Sequence, residues 1–201
     1  MDNYQNLKKG FLRLAIGEIL LIAGNIFDFI NTDSLIVALI MITTALVGLI
    51  LNLKGLKLVA KDDAGYKRAR KWALGSLFIV IFGALLAGIV DLFNQTLGNA
   101  IGQLITAANT VCDFLATYFV LQTSLVILER HEINSLINYT KITRNAYLVT
   151  FLLKNIVYTF MIFESPVLVS MTSVLSTGAD VLALLAKIMY LIFLFKMYKL
   201  L

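Results

Sequence analysis

Cysteine, histidine and proline each occur once among the 201 residues. The lone Cys112 excludes a disulfide framework within the chain. It stands in an apolar run, where a small packing residue is its simplest role. The lone His131 lies in a polar stretch, so no His/Cys metal site is expected. Pro166 follows Glu164 and Ser165. Ser165 suits a helix N-cap there, and Pro166 a first helical position. Charged residues are scarce at 14%, against about a quarter in a soluble domain. His-Glu-x-x-His, Gly-x-Ser-x-Gly and a phosphate-cradling glycine loop are all missing. Asp113 and Asp180 lack the neighbours of an intramembrane aspartyl protease motif. The expectation is a protein that is no enzyme and carries no cofactor or metal.

What the chain has in abundance is hydrophobic sequence. Sixty per cent of it is apolar, gathered in runs of about 20 residues, the length of helix that crosses the hydrocarbon core. This predicts an all-α integral membrane protein, a single six-helix transmembrane bundle over residues 1–201. Spans are expected at about 10–29, 35–53, 72–93, 100–128, 146–163 and 167–195. Lys8 and Lys9 precede the first run, which continues through Asn25 and Asp28 without a small-residue cleavage site, so it reads as a retained span. Too little lies outside the spans to fold an ATP-binding or DNA-reading domain. The net charge of +5 sits in short stretches between spans, which points to topology and lipid headgroups, not nucleic acid.

Loop charge gives the direction. The N-terminal flank, residues 54–71, residues 129–145 and the C-terminal tail hold every Lys and Arg outside the spans. The turns at 31–34, 94–99 and 164–166 hold none. Six spans with both termini cytoplasmic satisfy the positive-inside rule. Residues 54–71 carry seven basic side chains, an orientation signal expected to touch anionic lipid. In the turn at 31–34, Asp33 or Ser34 can cap the next helix. Trp72 opens span 3 at an interfacial position. Gly75, Gly83, Ala84, Ala87 and Gly88 on span 3 offer a neighbouring helix a close approach. Span 2, apolar apart from Thr43 and Thr44, is expected to be the most lipid-facing.

The chain also reads as three helical hairpins. Ile26-Phe27-Asp28-Phe29-Ile30-Asn31 resembles Ile89-Val90-Asp91-Leu92-Phe93-Asn94. Asn109-Thr110-Val111-Cys112-Asp113-Phe114-Leu115-Ala116 is echoed by Ser176-Thr177-Gly178-Ala179-Asp180-Val181-Leu182-Ala183. Two-span units inserted in one direction would be parallel repeats, unlike the inverted repeats of many secondary transporters.

Equal span thickness puts Asp113, Asp180 and Lys154 near the midplane, with Glu18 and Lys187 in the cytoplasmic half. Lone ions in hydrocarbon are costly, so these five should face the interior and pair. Three carboxylates against two lysines leave one acid over, which needs a proton, water, a bound cation or a substrate amine. The expected substrate or ion site is therefore Asp113, Asp180 and Lys154, with Asn109 and Thr177 beside them. Glu18 and Lys187 form a candidate inner ion pair. Asp28, Asp91 and Glu164 form a candidate outer acidic vestibule. Polar stripes support a lined path: Thr106, Asn109, Thr110, Asp113 and Thr117 on span 4, and Ser173, Ser176, Thr177 and Asp180 on span 6. The alternative is that these charges fix helix register and the stripes are interhelical glue.

The stretch Lys61-Asp62-Asp63-Ala64-Gly65-Tyr66-Lys67-Arg68-Ala69, between two apolar hairpins, resembles small six-span membrane proteins of low-GC Gram-positive bacteria. That resemblance implies the architecture and no activity. Size and span count are also similar to the substrate-binding subunits of energy-coupling-factor vitamin transporters. Their Ala-x-x-x-Ala contact motif is missing, since Ala15 is followed four residues on by Ile19, and Ala23 by Phe27. The expected function is a small transporter, channel or solute-binding subunit for a proton, a cation or an amine-bearing solute. The alternative is a non-transporting immunity, assembly or signalling protein acting through the basic segments. Partners expected are the bilayer and either a second copy or another protein.

Overall fold

The computed structural model describes residues 5–28, 35–162 and 166–201. Six helices follow one another: α1 (Gln5–Asp28), α2 (Leu35–Asp62), α3 (Tyr66–Asp91), α4 (Gln95–Arg130), α5 (Asn134–Ile162) and α6 (Pro166–Leu200). Among the described residues, four helices hold stretches long and apolar enough to cross a membrane: Leu39–Asp62, Tyr66–Asp91, Gln95–Arg130 and Leu175–Leu200. α1 and α5 are polar toward the basic end, α1 through Lys8, Lys9 and Arg13 and α5 through Lys141 and Arg144.

The two basic stretches are mostly helix. Only Asp63–Gly65 and residues 131–133 separate the helices there. Residues 54–62 continue α2, and residues 134–145 open α5. Lys, Arg, Leu and Ala are good helix formers, so a polar stretch rich in them extends a helix beyond its apolar part. Asp63 accepts from the Gly65 N–H at 2.7 Å in the first turn. Glu132 takes φ 54° in the second. At the other end Asn94 caps α4, accepting from the Leu97 N–H at 3.1 Å. The capping positions Asp33, Ser34 and Ser165 lie outside the described residues.

Each helix packs on its neighbours in sequence, and α6 returns to α1, so the six helices close a ring. The tightest pairings are α1 with α2 and α3 with α4, followed by α5 with α6, the three hairpins of the sequence. The α1–α2 seam is built on glycine. A Cβ on Gly48 would stand 2.9 Å from the Gly17 carbonyl oxygen, and one on Gly55 2.9 Å from that of Gly10. Both pairs are seven residues apart on their helices, two turns on one face. On α3, Gly75 and Gly83 face Cys112 and Ile105 of α4, while Gly88 meets open space and Ala84 is exposed. The expected small-residue face therefore packs over only part of its length. α3 is less buried than α2, so α3 offers the larger apolar outer face.

The core lies at the end that carries the basic residues. All six helices feed it: Phe11 and Leu14, Leu56 and Val59, Tyr66 and Ala69, Leu121 and Leu125, Leu136, and Phe193 and Leu194. Phe11 meets Tyr66 and Phe193 edge-on, with ring centroids 6.1 and 6.3 Å apart. The buried Tyr66 and Ser124 hydroxyls share a hydrogen bond of 2.9 Å. Toward the opposite end Leu85, Leu86, Phe93 and Leu104 are all exposed. Among the described residues, the closest packing is therefore at the basic end.

Candidate functional site

Above that core α4, α5 and α6 enclose a cavity of about 520 Å³ that opens to the surface. α4 brings Thr106, Asn109, Thr110, Asp113 and Phe114, and α5 brings Tyr147, Thr150, Phe151 and Lys154. α6 brings Asp180, Ala183, Leu184, Ala186 and Lys187. The spacing explains the convergence. Positions 106, 109, 110 and 113 share one face of α4, 147, 150, 151 and 154 one face of α5, and 180, 183, 184 and 187 one face of α6. The cavity therefore runs from Tyr147 and Lys187, next to the core, toward Thr106 and Lys154.

Four of the five expected site residues line this one space: Asp113, Asp180, Lys154 and Asn109. Thr177, one turn from Asp180 on α6, is exposed and outside the lining. The Lys154 ammonium meets the Asp180 carboxylate at 3.0 Å. Asn109 is held by α3, its Oδ1 accepting from the Ser76 hydroxyl at 2.6 Å. The Thr106, Thr110 and Thr150 hydroxyls donate to the carbonyls of Gly102, Thr106 and Ala146 on their own helices. With their protons so placed, these hydroxyls offer lone pairs to the cavity. Phe114 and Phe151 stack across the α4–α5 seam, centroids 4.2 Å apart, and form its apolar wall.

Asp113 is exposed to this space. Among the described residues the ion pairs are Lys154–Asp180 and Lys141–Glu129, so Asp113 has no cationic partner. Glu18 and Lys187 do not make the direct pair expected of them. Glu18 is buried behind the lining, against Asn52 of α2, and Lys187 is the first of the charges acting on it, Asp113 the second. The Asn52 Oδ1 is itself buried without a hydrogen-bond partner. Glu18 lies beside Asn52 at the α1–α2 seam, near Lys187 but outside direct ion-pair contact with it. The outer vestibule is described only at Asp91, exposed at the end of α3; Glu164 and the Asp28 side chain lie outside the described residues.

The five charges thus form one pair, one carboxylate–lysine neighbourhood and one spare acid, Asp113. Tyr147, Thr150, Phe114 and Phe151 complete the wall and were not singled out from sequence. The regular spacing of 147, 150, 151 and 154 was the signal for the α5 members. No family model matches the chain, and no curated protein or solved structure matches it either.

Proposed function

We propose that the chain is a six-span membrane protein, both termini cytoplasmic, that binds and moves a small cationic solute at a midplane site built on Asp113. The observation that carries this reading is the cavity itself, with an unpaired carboxylate in its wall. Its size falls within the roughly 300–1,000 Å³ of small-molecule sites. An ionised carboxylate at that depth is costly without a counter-charge. A bound cation supplies it, while Lys154 stays committed to Asp180. α1 and α5 cross by turning Glu18 and Lys154 inward. The basic end faces the cytoplasm by the positive-inside rule.

An amine-bearing organic cation fits the wall better than a proton or a metal ion. A proton needs no cavity. Calcium and magnesium take six or more ligands, mostly oxygens, zinc takes four from Cys, His or carboxylates, and among the described residues no three His, Cys, Asp or Glu side chains converge. An organic ammonium needs one carboxylate, hydroxyl lone pairs and an apolar wall. Asp113, Thr110 with Thr150, and Phe114 with Phe151 supply these in turn.

The test is flux in proteoliposomes, with protons, monovalent cations and organic amines offered separately. Wild type should carry an amine, and Asp113→Asn should abolish that flux. Asp180→Asn should slow it, because a released Lys154 then competes for Asp113. Flat traces from wild type and both variants, across pH and all solutes, would end the transport reading.

A further inference from the structure

The geometry points to a second binding site, for the phosphate of an anionic phospholipid, in the cleft where α1 crosses α2 at the basic end. This site is independent of what the midplane cavity binds. The cleft, of about 470 Å³, is lined by Arg13, Lys54, Lys57 and Lys61 with Leu51 and Leu58. Four cations therefore face one space, and no carboxylate lines it. None of the four makes an ion pair among the described residues. Asp62, the acid next to Lys61, is turned to the start of α1, where it accepts from the Leu7 N–H at 2.9 Å and from Asn6 at 3.1 Å. Like charges three and four residues apart repel on a helix. Lys54, Lys57 and Lys61 stand at those spacings, and Arg13 from the facing helix adds to them. An anion in the cleft relieves this repulsion and gains four charge-assisted contacts.

Any phosphate has the required charge, whether on a lipid headgroup or free in solution. The apolar half of the cleft decides for the lipid. Val47, Leu51, Lys54, Leu58 and Lys61 follow one stripe of α2, at steps of four, three, four and three residues. Below the lysines that stripe runs onto the exposed apolar surface of Leu46, Val47 and Ile50. A headgroup phosphate at Lys54 and Lys57 thus has an acyl chain's path laid out beneath it. The site also divides the basic segment. Lys67, Arg68, Arg70 and Lys71 belong to α3 and are outside the cleft.

Native mass spectrometry of the detergent-purified full chain tests this directly. Phosphatidylglycerol, phosphatidylcholine and inorganic phosphate are added separately and in competition. Three proteins are compared: wild type, the triple variant Lys54→Gln, Lys57→Gln, Lys61→Gln, and the charge-matched triple variant Lys67→Gln, Arg68→Gln, Lys71→Gln. Wild type should retain phosphatidylglycerol over phosphatidylcholine. At about fivefold per cation near a membrane surface, the first triple should lose on the order of a hundredfold in that preference. The second triple should keep it, and inorganic phosphate should not displace the lipid. Equal losses in both triples, or no preference in wild type, overturns the site. Displacement of the lipid by equimolar inorganic phosphate overturns the assignment to lipid.

Discussion

Cutting the Lys154–Asp180 pair should show how wet the midplane cavity is. The two charges stand 3.0 Å apart, with side-chain exposures of 25% and 45%. At that separation their attraction is about 5.5 kcal/mol at an effective dielectric of about 20, and about 1.4 kcal/mol in bulk water. Desolvating both ions and fixing the lysine chain offset much of the larger figure. Exposed pairs net about 0.2–1 kcal/mol, whereas breaking a fully buried pair costs about 3–5 kcal/mol. This pair lies between those limits, so a coupling of about 1–2 kcal/mol is expected. The double-mutant cycle uses Lys154→Met, Asp180→Asn and the two together. The single variants should be unequal. Lys154→Met leaves Asp113 and Asp180 in one cavity whose remaining cation, Lys187, stands two turns from Asp180, and should cost about 2 kcal/mol. Asp180→Asn lets Lys154 turn toward Asp113 and should cost about half as much. Unfolding in bicelles by added dodecyl sulfate, followed through the single tryptophan, Trp72, reads all four proteins. A coupling under about 0.3 kcal/mol, the usual scatter of independent sites, would refute the argument. So would a costlier Asp180→Asn.

The helix seams make two further predictions in the same assay. Gly48→Ala forces its Cβ to within 2.9 Å of the Gly17 carbonyl and should cost about 1–3 kcal/mol. Gly88→Ala, which meets open space, should be neutral or gain up to about 1 kcal/mol in helix propensity; equal effects would refute the glycine seam. Tyr66→Phe should cost about 1–3 kcal/mol by leaving the buried Ser124 hydroxyl without its partner. Adding Ser124→Ala should restore part of that loss, and strict additivity would contradict the shared hydrogen bond.

The apolar helices and their hairpins were legible because hydropathy and turn residues report on a chain's immediate surroundings. Lys154 was legible as a counter-ion because charges of opposite sign at one depth have few other partners, but its partner is Asp180 and not Asp113, a choice that depends on how α5 and α6 face each other. The helical course of residues 54–62 and 134–145 was not, because polarity marks the edge of an apolar run and not the end of a helix. Glu18 shows the same limit in three dimensions. Its depth could be counted along the sequence, but which neighbour it faces depends on the α1–α2 crossing. The signal for that crossing was present as Gly10 and Gly17 opposite Gly48 and Gly55. It was masked by the more numerous small residues of span 3, of which Gly88 meets open space and Ala84 is exposed. Closure of the ring by α6 on α1 left no sequence mark, since Phe11 and Phe193 read as ordinary apolar residues until they meet.

Asp113 is the residue on which the account turns, and equilibrium binding tests it most directly. Isothermal titration of detergent-purified protein with a series of alkylammonium ions should give saturable binding to wild type. In Asp113→Asn the affinity should fall by about tenfold or more, the loss of roughly 1.4 kcal/mol or more of charge-assisted contact. The variant's unfolding should be unchanged or slightly later, because an unpaired carboxylate has been removed. Binding of equal strength in both proteins, or none in wild type at any pH, would contradict the claim that this cavity is a cation site.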